Sequence, residues 1–184
     1  MDSTKENDNN TSPPLPAHLA CRVLVLGVGN RLYGDDGFGP RVVERLKEHA
    51  ALPEEVCLSG DVCLIDAGTS AAGILFDLAL AEEKTRPVLL LLIDAVDLPK
   101  KKHQPGDLWE MTPADLPANK RDDFSLHQLP GSDLLAELDR AGCRVRIIAC
   151  QIKEIPDRMR EGLSAEVDLA LEGAAEMVMK RACE

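Results

Sequence analysis

VLVLGVGNRLYGDDGFGPRVVERL, residues Val23 to Leu46, is the stretch from which the fold can be read. It opens as an apolar run short enough for one buried strand. Gly27 and Gly29 then permit a tight turn, and the adjacent carboxylates of Asp35 and Asp36 follow. Val42, Val43 and Leu46 mark the apolar face of a helix. A strand, a glycine loop, an acidic pair and a helix make the first unit of an α/β protein, with its chemistry at the strand's carboxyl end.

Two common versions of such a unit do not fit. A dinucleotide fingerprint needs G-x-G-x-x-G, and Leu32 stands where the third glycine belongs. Two carboxylates in the loop would repel a pyrophosphate. A phosphate-cradling loop would need Gly-Lys-Ser/Thr, which is absent here. The loop suits a cation rather than an anion.

Outward from this stretch, strands are expected over 22–28, 61–66, 87–95, 106–111 and 143–153, and helices over 37–50, 71–83, 133–140 and 164–182. The run PVLLLLIDA (Pro87 to Ala95) is almost continuously apolar, as a central strand covered on both faces should be. Ile74, Leu75, Leu78 and Leu80 supply the apolar side of the second helix, with Ser70 as its cap. The more polar 106–111 strand belongs at a sheet edge, antiparallel to its neighbour. The alternation predicts the α/β class, a three-layer α/β/α sandwich on a mostly parallel five-stranded sheet.

At 184 residues the expectation is one domain over 21–184, preceded by a polar, proline-rich, disordered tail over 1–20. Aromatics make up 3% of the chain, so the core must rest on Leu, Val, Ile and Ala. A net charge of -11 argues against nucleic acid or an anionic membrane as partner. No apolar stretch of signal-peptide type occupies the start, and none later reaches transmembrane length, so a cytoplasmic, monomeric protein is expected. The six cysteines include no C-x-x-C pair, which argues against structural zinc; Cys21, Cys63, Cys143 and Cys150 read as core residues.

In a parallel sheet the carboxyl ends of the strands share one rim. Asp35 and Asp36 follow the first strand, Asp66 ends the second and Asp94 ends the third. Asp35 and Asp66 suit capping or turn roles as well as ligation. Of the four histidines, His127 is the best placed, in DDFSLHQ where Ser125 and Gln128 have capping-box spacing. Two carboxylates and an imidazole would suit nickel or zinc; carboxylates alone would suit magnesium. No Ser/His/Asp or Cys/His pattern supports a covalent nucleophile.

Together these pieces resemble the nickel-iron hydrogenase maturation endopeptidases. GVGNRLYGDDGFG is similar to the family's opening motif, G-x-G-N-x-L-x-x-D-[DE]-x-x-G. IDAGT (Ile65 to Thr69), IDA (Ile93 to Ala95) and SLHQL (Ser125 to Leu129) follow in family order. The segment CQIKEIPDRMREGLS, Cys150 to Ser164, resembles the branch serving deazaflavin-coenzyme-reducing hydrogenases of methanogens. Pro130 after HQL departs from the family's usual helix start.

The resemblance implies a twisted, mostly parallel sheet between helices. It implies an enzyme that removes the C-terminal extension of a hydrogenase large-subunit precursor after nickel insertion. It puts the metal-contacting and catalytic roles on Asp36, Asp94 and His127, and cleft-shaping or substrate-binding roles on Gly29, Asn30, Asp35, Asp66, Gly68 and Thr69. Nickel would arrive with the precursor, and no organic cofactor is implied. The alternative is a phosphoacceptor receiver domain with an acidic magnesium pocket, which Asp35, Asp36, Asp94 and Lys153 mimic. Against it, the acidic pair lies far past the first strand.

Overall fold

The computed structural model describes residues 16–48, 61–98, 103–116 and 132–184. β1 (Val23–Val28) leads through a 3-10 turn (Gly34–Gly37) into α1 (Phe38–Glu48). β2 (Val62–Gly68) precedes α2 (Ala71–Leu80), and β3 (Leu89–Val96) precedes the short β4 (Leu108–Met111). α3 (Ser132–Arg140), β5 (Arg144–Gln151), α4 (Ala165–Leu169) and α5 (Leu171–Ala182) complete the described elements. None of these helices is long and apolar enough to cross a membrane.

The five strands lie in the order β2-β1-β3-β5-β4. β1, β2, β3 and β5 run parallel, and β4 pairs antiparallel with β5 at the edge, as its polar sequence led us to expect. Strand alternation divides the interior in two. Val23 and Val25, with Leu89, Leu91 and Ile93, face α1, α4 and α5. Leu24, Leu26, Leu90 and Leu92 face α2 and α3. β1 and β3 are buried along their whole length, which explains why both read as unbroken apolar runs. Each fully buried Leu, Ile or Val contributes roughly 1.5–3 kcal/mol. This layering of helices on both faces of the sheet is the expected three-layer α/β/α sandwich.

The departures from expectation are local. Gly27 pairs with Asp66 but Val28 pairs with Gly68, so Ala67 is an extra residue that bulges β2 and prolongs it to Gly68. α2 stops at Leu80, short of 83, because the Arg86 guanidinium donates to the carbonyls of Ala79 and Ala81 and satisfies the helix end. Ser70 does not cap α2 with its hydroxyl. Leu75 and Leu78 are buried as expected, but Leu80 is 86% exposed. The last helix is divided: the Ala170 amide bonds to the Val167 carbonyl, a three-residue closure that tightens the turn between α4 and α5. The expectations for 1–15 and for the Ser125/Gln128 capping box fall outside the described residues.

Candidate active site at the carboxyl end of the sheet

The chain leaves β1 toward β2 on one side and later enters β3 on the other. The crevice between the carboxyl ends of β1 and β3 is therefore the switch point where an open α/β sheet binds ligands. α1 begins in it. A Cβ on Gly39 would overlap the carbonyl oxygens of Ile93 and Val28, so only glycine lets the helix nest this deeply. The packing role of the missing third fingerprint glycine is thus filled by Gly39 instead of position 32.

The loop from Gly29 to Asp36 is folded on itself. Gly29 has φ +125°, and a side chain there would strike the Asp36 carbonyl. The Asn30 amide donates to the Asp36 carboxylate at 2.9 Å and faces the Asp36 carbonyl at 3.1 Å. Tyr33 donates its amide to the Asn30 carbonyl, and Leu32 donates its own to the Asn30 side-chain oxygen. Asn30 is therefore the hub that holds Asp36 at the crevice. The turn carrying Asp36 packs against β3. Burial pushes the Asp36 carboxyl above the ordinary carboxylate range, and the Asn30 amide partly counters this.

Asp94, next to Ile93 near the end of β3, is fully buried, and its Oδ1 accepts the Ala95 amide at 2.9 Å. By strand alternation with Leu90 and Leu92 it belongs to the face of the sheet covered by α2 and α3. Asp36 follows β1 and Asp94 lies near the end of β3, the two strands whose carboxyl ends border the switch point. His127 lies outside the described residues, as do 117–131 altogether. Among the described residues no group of three His, Cys, Asp or Glu side chains is arranged to hold a metal ion.

The remaining sequence-derived candidates divide. The Gly68 carbonyl accepts the Gly29 amide at 3.1 Å, joining the loop after β2 to the loop after β1; Thr69 is exposed beside it. Asp66, at the rim, accepts Arg31 Nε at 3.2 Å and Nη2 at 3.0 Å. The same guanidinium reaches Glu44 at 2.9 Å and the Pro40 carbonyl at 2.9 Å, so Arg31 clamps β2, the acidic loop and α1 together.

Asp35 turns the other way. It is 1% exposed, and its carboxylate accepts the amides of Lys153 at 2.9 Å, Glu154 at 3.3 Å and Ser164 at 2.6 Å, plus the Ser164 hydroxyl at 3.0 Å. It anchors the segment between β5 and α4 onto the acidic loop. Backbone bonds between Leu32 and Arg160 and between Gly34 and Arg160 lace the same two segments together. The β1 and β5 loops meet over β3, which is the central neighbour of both strands.

These contacts weigh against the receiver-domain alternative. Both Asp35 oxygens are engaged by the β5–α4 segment, and Lys153 Nζ is paired with Glu166 at 2.8 Å. Nor are the buried thiols beside the sheet suited to nucleophilic attack: burial pushes Cys21 and Cys150 up to about 12 and Cys143 up to about 11. Sequence reasoning missed Gly39, Arg31 and Ser164. The serine just before a helix was a readable capping signal, whereas nothing local marked the other two.

Comparison with known proteins agrees with this architecture. Residues 40–181 match the family model described as hydrogenase maturation protease, HycI. The chain is 37% identical over 164 residues to the hydrogenase expression/formation protein HupD of Rhodobacter capsulatus, covering 85% of this chain and 71% of that one. It is 32% identical over 158 residues to the coenzyme F420 hydrogenase subunit delta of Methanothermobacter thermautotrophicus, covering 85% and 92%. Among solved structures it is similar to the hydrogenase maturating endopeptidase HybD of Escherichia coli, with a TM-score of 0.63 at 28% identity over 87% of this chain and 91% of the other.

Proposed function

Because the chain belongs to the hydrogenase maturation protease family, we propose that it removes the C-terminal extension of a nickel-iron hydrogenase large-subunit precursor and recognises the nickel that the precursor already holds. This reading is supported by the chain positions of Asp36, after β1, and of Asp94, near the end of β3, the two strands that border the switch point. A buried carboxylate there is costly as an anion, as the raised pKa of Asp36 records. A divalent ion arriving with the substrate offsets that desolvation.

His127 supplies the third ligand in this proposal. Support comes from SLHQL, Ser125 to Leu129, which stands in the family's motif order. Two oxygens and one imidazole nitrogen, added to the thiolates of the precursor, make a borderline ligand set that suits nickel over magnesium. The substrate's metal then registers the scissile peptide against the crevice. Hydrolysis adds water across that amide, leaving a carboxylate on the mature subunit and an amine on the released extension. Gly29, Asn30, Gly68 and Thr69 frame the cleft, Asn30 by holding the Asp36 carboxylate in place. Asp35 and Arg31 act from behind, by fixing the surrounding loops. Processing is thereby conditional on metal loading.

The test is incubation of the purified protein with nickel-loaded and nickel-free precursor, read as a shortened large subunit. Cleavage of the loaded form alone is expected. Equal cleavage of both would refute the nickel requirement, and cleavage of neither would refute the protease reading. His127→Ala should abolish processing with unchanged far-ultraviolet circular dichroism; normal processing by that variant would remove His127 from the mechanism.

A further inference from the structure

Arg160 joins two segments that lie far apart in the chain. Its amide donates to the Leu32 carbonyl at 2.8 Å, and its carbonyl accepts the Gly34 amide at 2.8 Å, so it pairs with Tyr33 in a short parallel bridge. The bridge makes Leu32, in the acidic loop, and Met159, between β5 and α4, neighbours along their backbones. Both are open to solvent, Leu32 at 40% and Met159 at 69%. Apolar side chains scattered singly over a surface need no explanation. Here two are brought together by backbone bonds from distant segments, and the second segment is pinned. Asp35 accepts the amides of Lys153 and Ser164, at the two ends of the stretch that carries Met159. The buried carboxylate of Asp35 thereby presents a fixed apolar pair at the surface. A surface already held in one shape loses little freedom on binding, and the unbranched thioether of methionine adapts to a partner's contours.

We propose that the Leu32–Met159 pair is a docking contact for the hydrogenase large-subunit precursor at the rim of the crevice, an inference that rests on the function proposed above. Continuity with the site selects this occupant. The Leu32 amide donates to the Asn30 side-chain oxygen at 3.0 Å, and the Asn30 amide donates to the Asp36 carboxylate at 2.9 Å. Leu32 therefore belongs to the same hydrogen-bonded loop as Asp36, at the carboxyl end of the sheet. A protein that delivers a peptide and its metal to Asp36 meets the exposed side of this loop. A second copy of the chain fits poorly. Two side chains offer far less than the roughly 800 Å² per partner of a stable interface. Two chains of net charge -11 also repel. A precursor that enters the crevice as well has the missing area available.

The test compares the wild-type protein with Met159→Gln, which makes the exposed side chain polar at similar length, and with Met159→Leu, which keeps it apolar. KM and kcat are measured on nickel-loaded precursor. Hydroxyl-radical labelling of Leu32 and Met159 is measured with and without precursor. We expect Met159→Gln to raise KM roughly fivefold or more while kcat moves far less. Met159→Leu should keep KM within about twofold of the wild type. Both side chains should be labelled in the free protein and shielded by precursor. An unchanged KM for Met159→Gln, or an equal rise for Met159→Leu, overturns the docking contact while leaving the protease reading intact. Shielding already present in the free protein overturns it too. It would assign the pair to another part of this chain if sedimentation shows a monomer, or to a second copy if it shows a dimer that Met159→Gln loses. Absence of processing by the wild type refutes the protease reading itself, and the docking inference with it.

Discussion

Replacing Asp35 by Ala removes the acceptor that ties the β5–α4 segment to the acidic loop. Two of its bonds are short and run from backbone amides to an ionised acceptor in a site 1% exposed: Ser164 at 2.6 Å and Lys153 at 2.9 Å. Bonds to a charged group contribute roughly 1.5–3 kcal/mol each, and a donor left unpaired in the interior costs a similar amount. The Glu154 amide at 3.3 Å is long, and the Ser164 hydroxyl can rotate to another acceptor, so these two add little. The loss is therefore about 3–6 kcal/mol from a domain whose total stability is of order 5–15 kcal/mol. In a chain of this length that lowers the melting temperature by roughly 10–20 °C. Urea unfolding monitored by circular dichroism measures it. Ser164→Ala is the internal control, because it removes only the hydroxyl contact and should cost about 1 kcal/mol. Asp35→Asn should fall between the two, since one oxygen remains but an NH2 group meets the donors of the other. A loss below about 1 kcal/mol for Asp35→Ala would refute the view that this carboxylate is a structural anchor.

Asp36→Asn should stabilise the protein at neutral pH while abolishing processing, because it removes a carboxylate whose ionised form burial disfavours and keeps an oxygen for the Asn30 amide. The sign follows from linkage: with the folded pKa above the unfolded one, the folded state binds more protons between those two values, so wild-type stability falls as pH rises through them. Chemical unfolding of both proteins should show the advantage of the variant fading at acid pH, and an advantage that persists there would contradict the assignment. Processing by the wild type should fail on acidification at a pH above that of an ordinary carboxylate, as Asp36 takes up its proton. Gly39→Ala should destabilise the fold by at least about 1–3 kcal/mol, since the added methyl overlaps the Ile93 and Val28 carbonyls where neither strand can shift; thermal unfolding close to wild type would show that α1 can lift from the sheet.

Much of the architecture is legible residue by residue. Val23–Val28 and Leu89–Val96 announce buried parallel strands because both faces of each are covered, and a polar side chain there would be desolvated. Leu108–Met111 announces an edge by its mixed character. The division of the last helix at Ala170 had no glycine or proline to mark it. In the site, the GDDG turn was visible as an acidic pair, and the ends of β2 and β3 as further acids. What the two adjacent aspartates do was not. Asp35 and Asp36 are chemically identical, yet one is buried against donors 118 to 129 residues away and the other is held at the crevice by Asn30.

The order of hydrophobic runs, turns and acids along the chain by itself determined the α/β class, the edge strand and the family, because burial on two faces or one leaves a periodic mark in the sequence. Only the tertiary structure decided which carboxylate anchors a loop and which lines the crevice, that Gly39 sets the depth of α1, and that Phe76 and Leu80 stay outside while Leu75 and Leu78 go in. Those outcomes depend on contacts between segments far apart in the chain, and such contacts leave no periodicity in either partner alone.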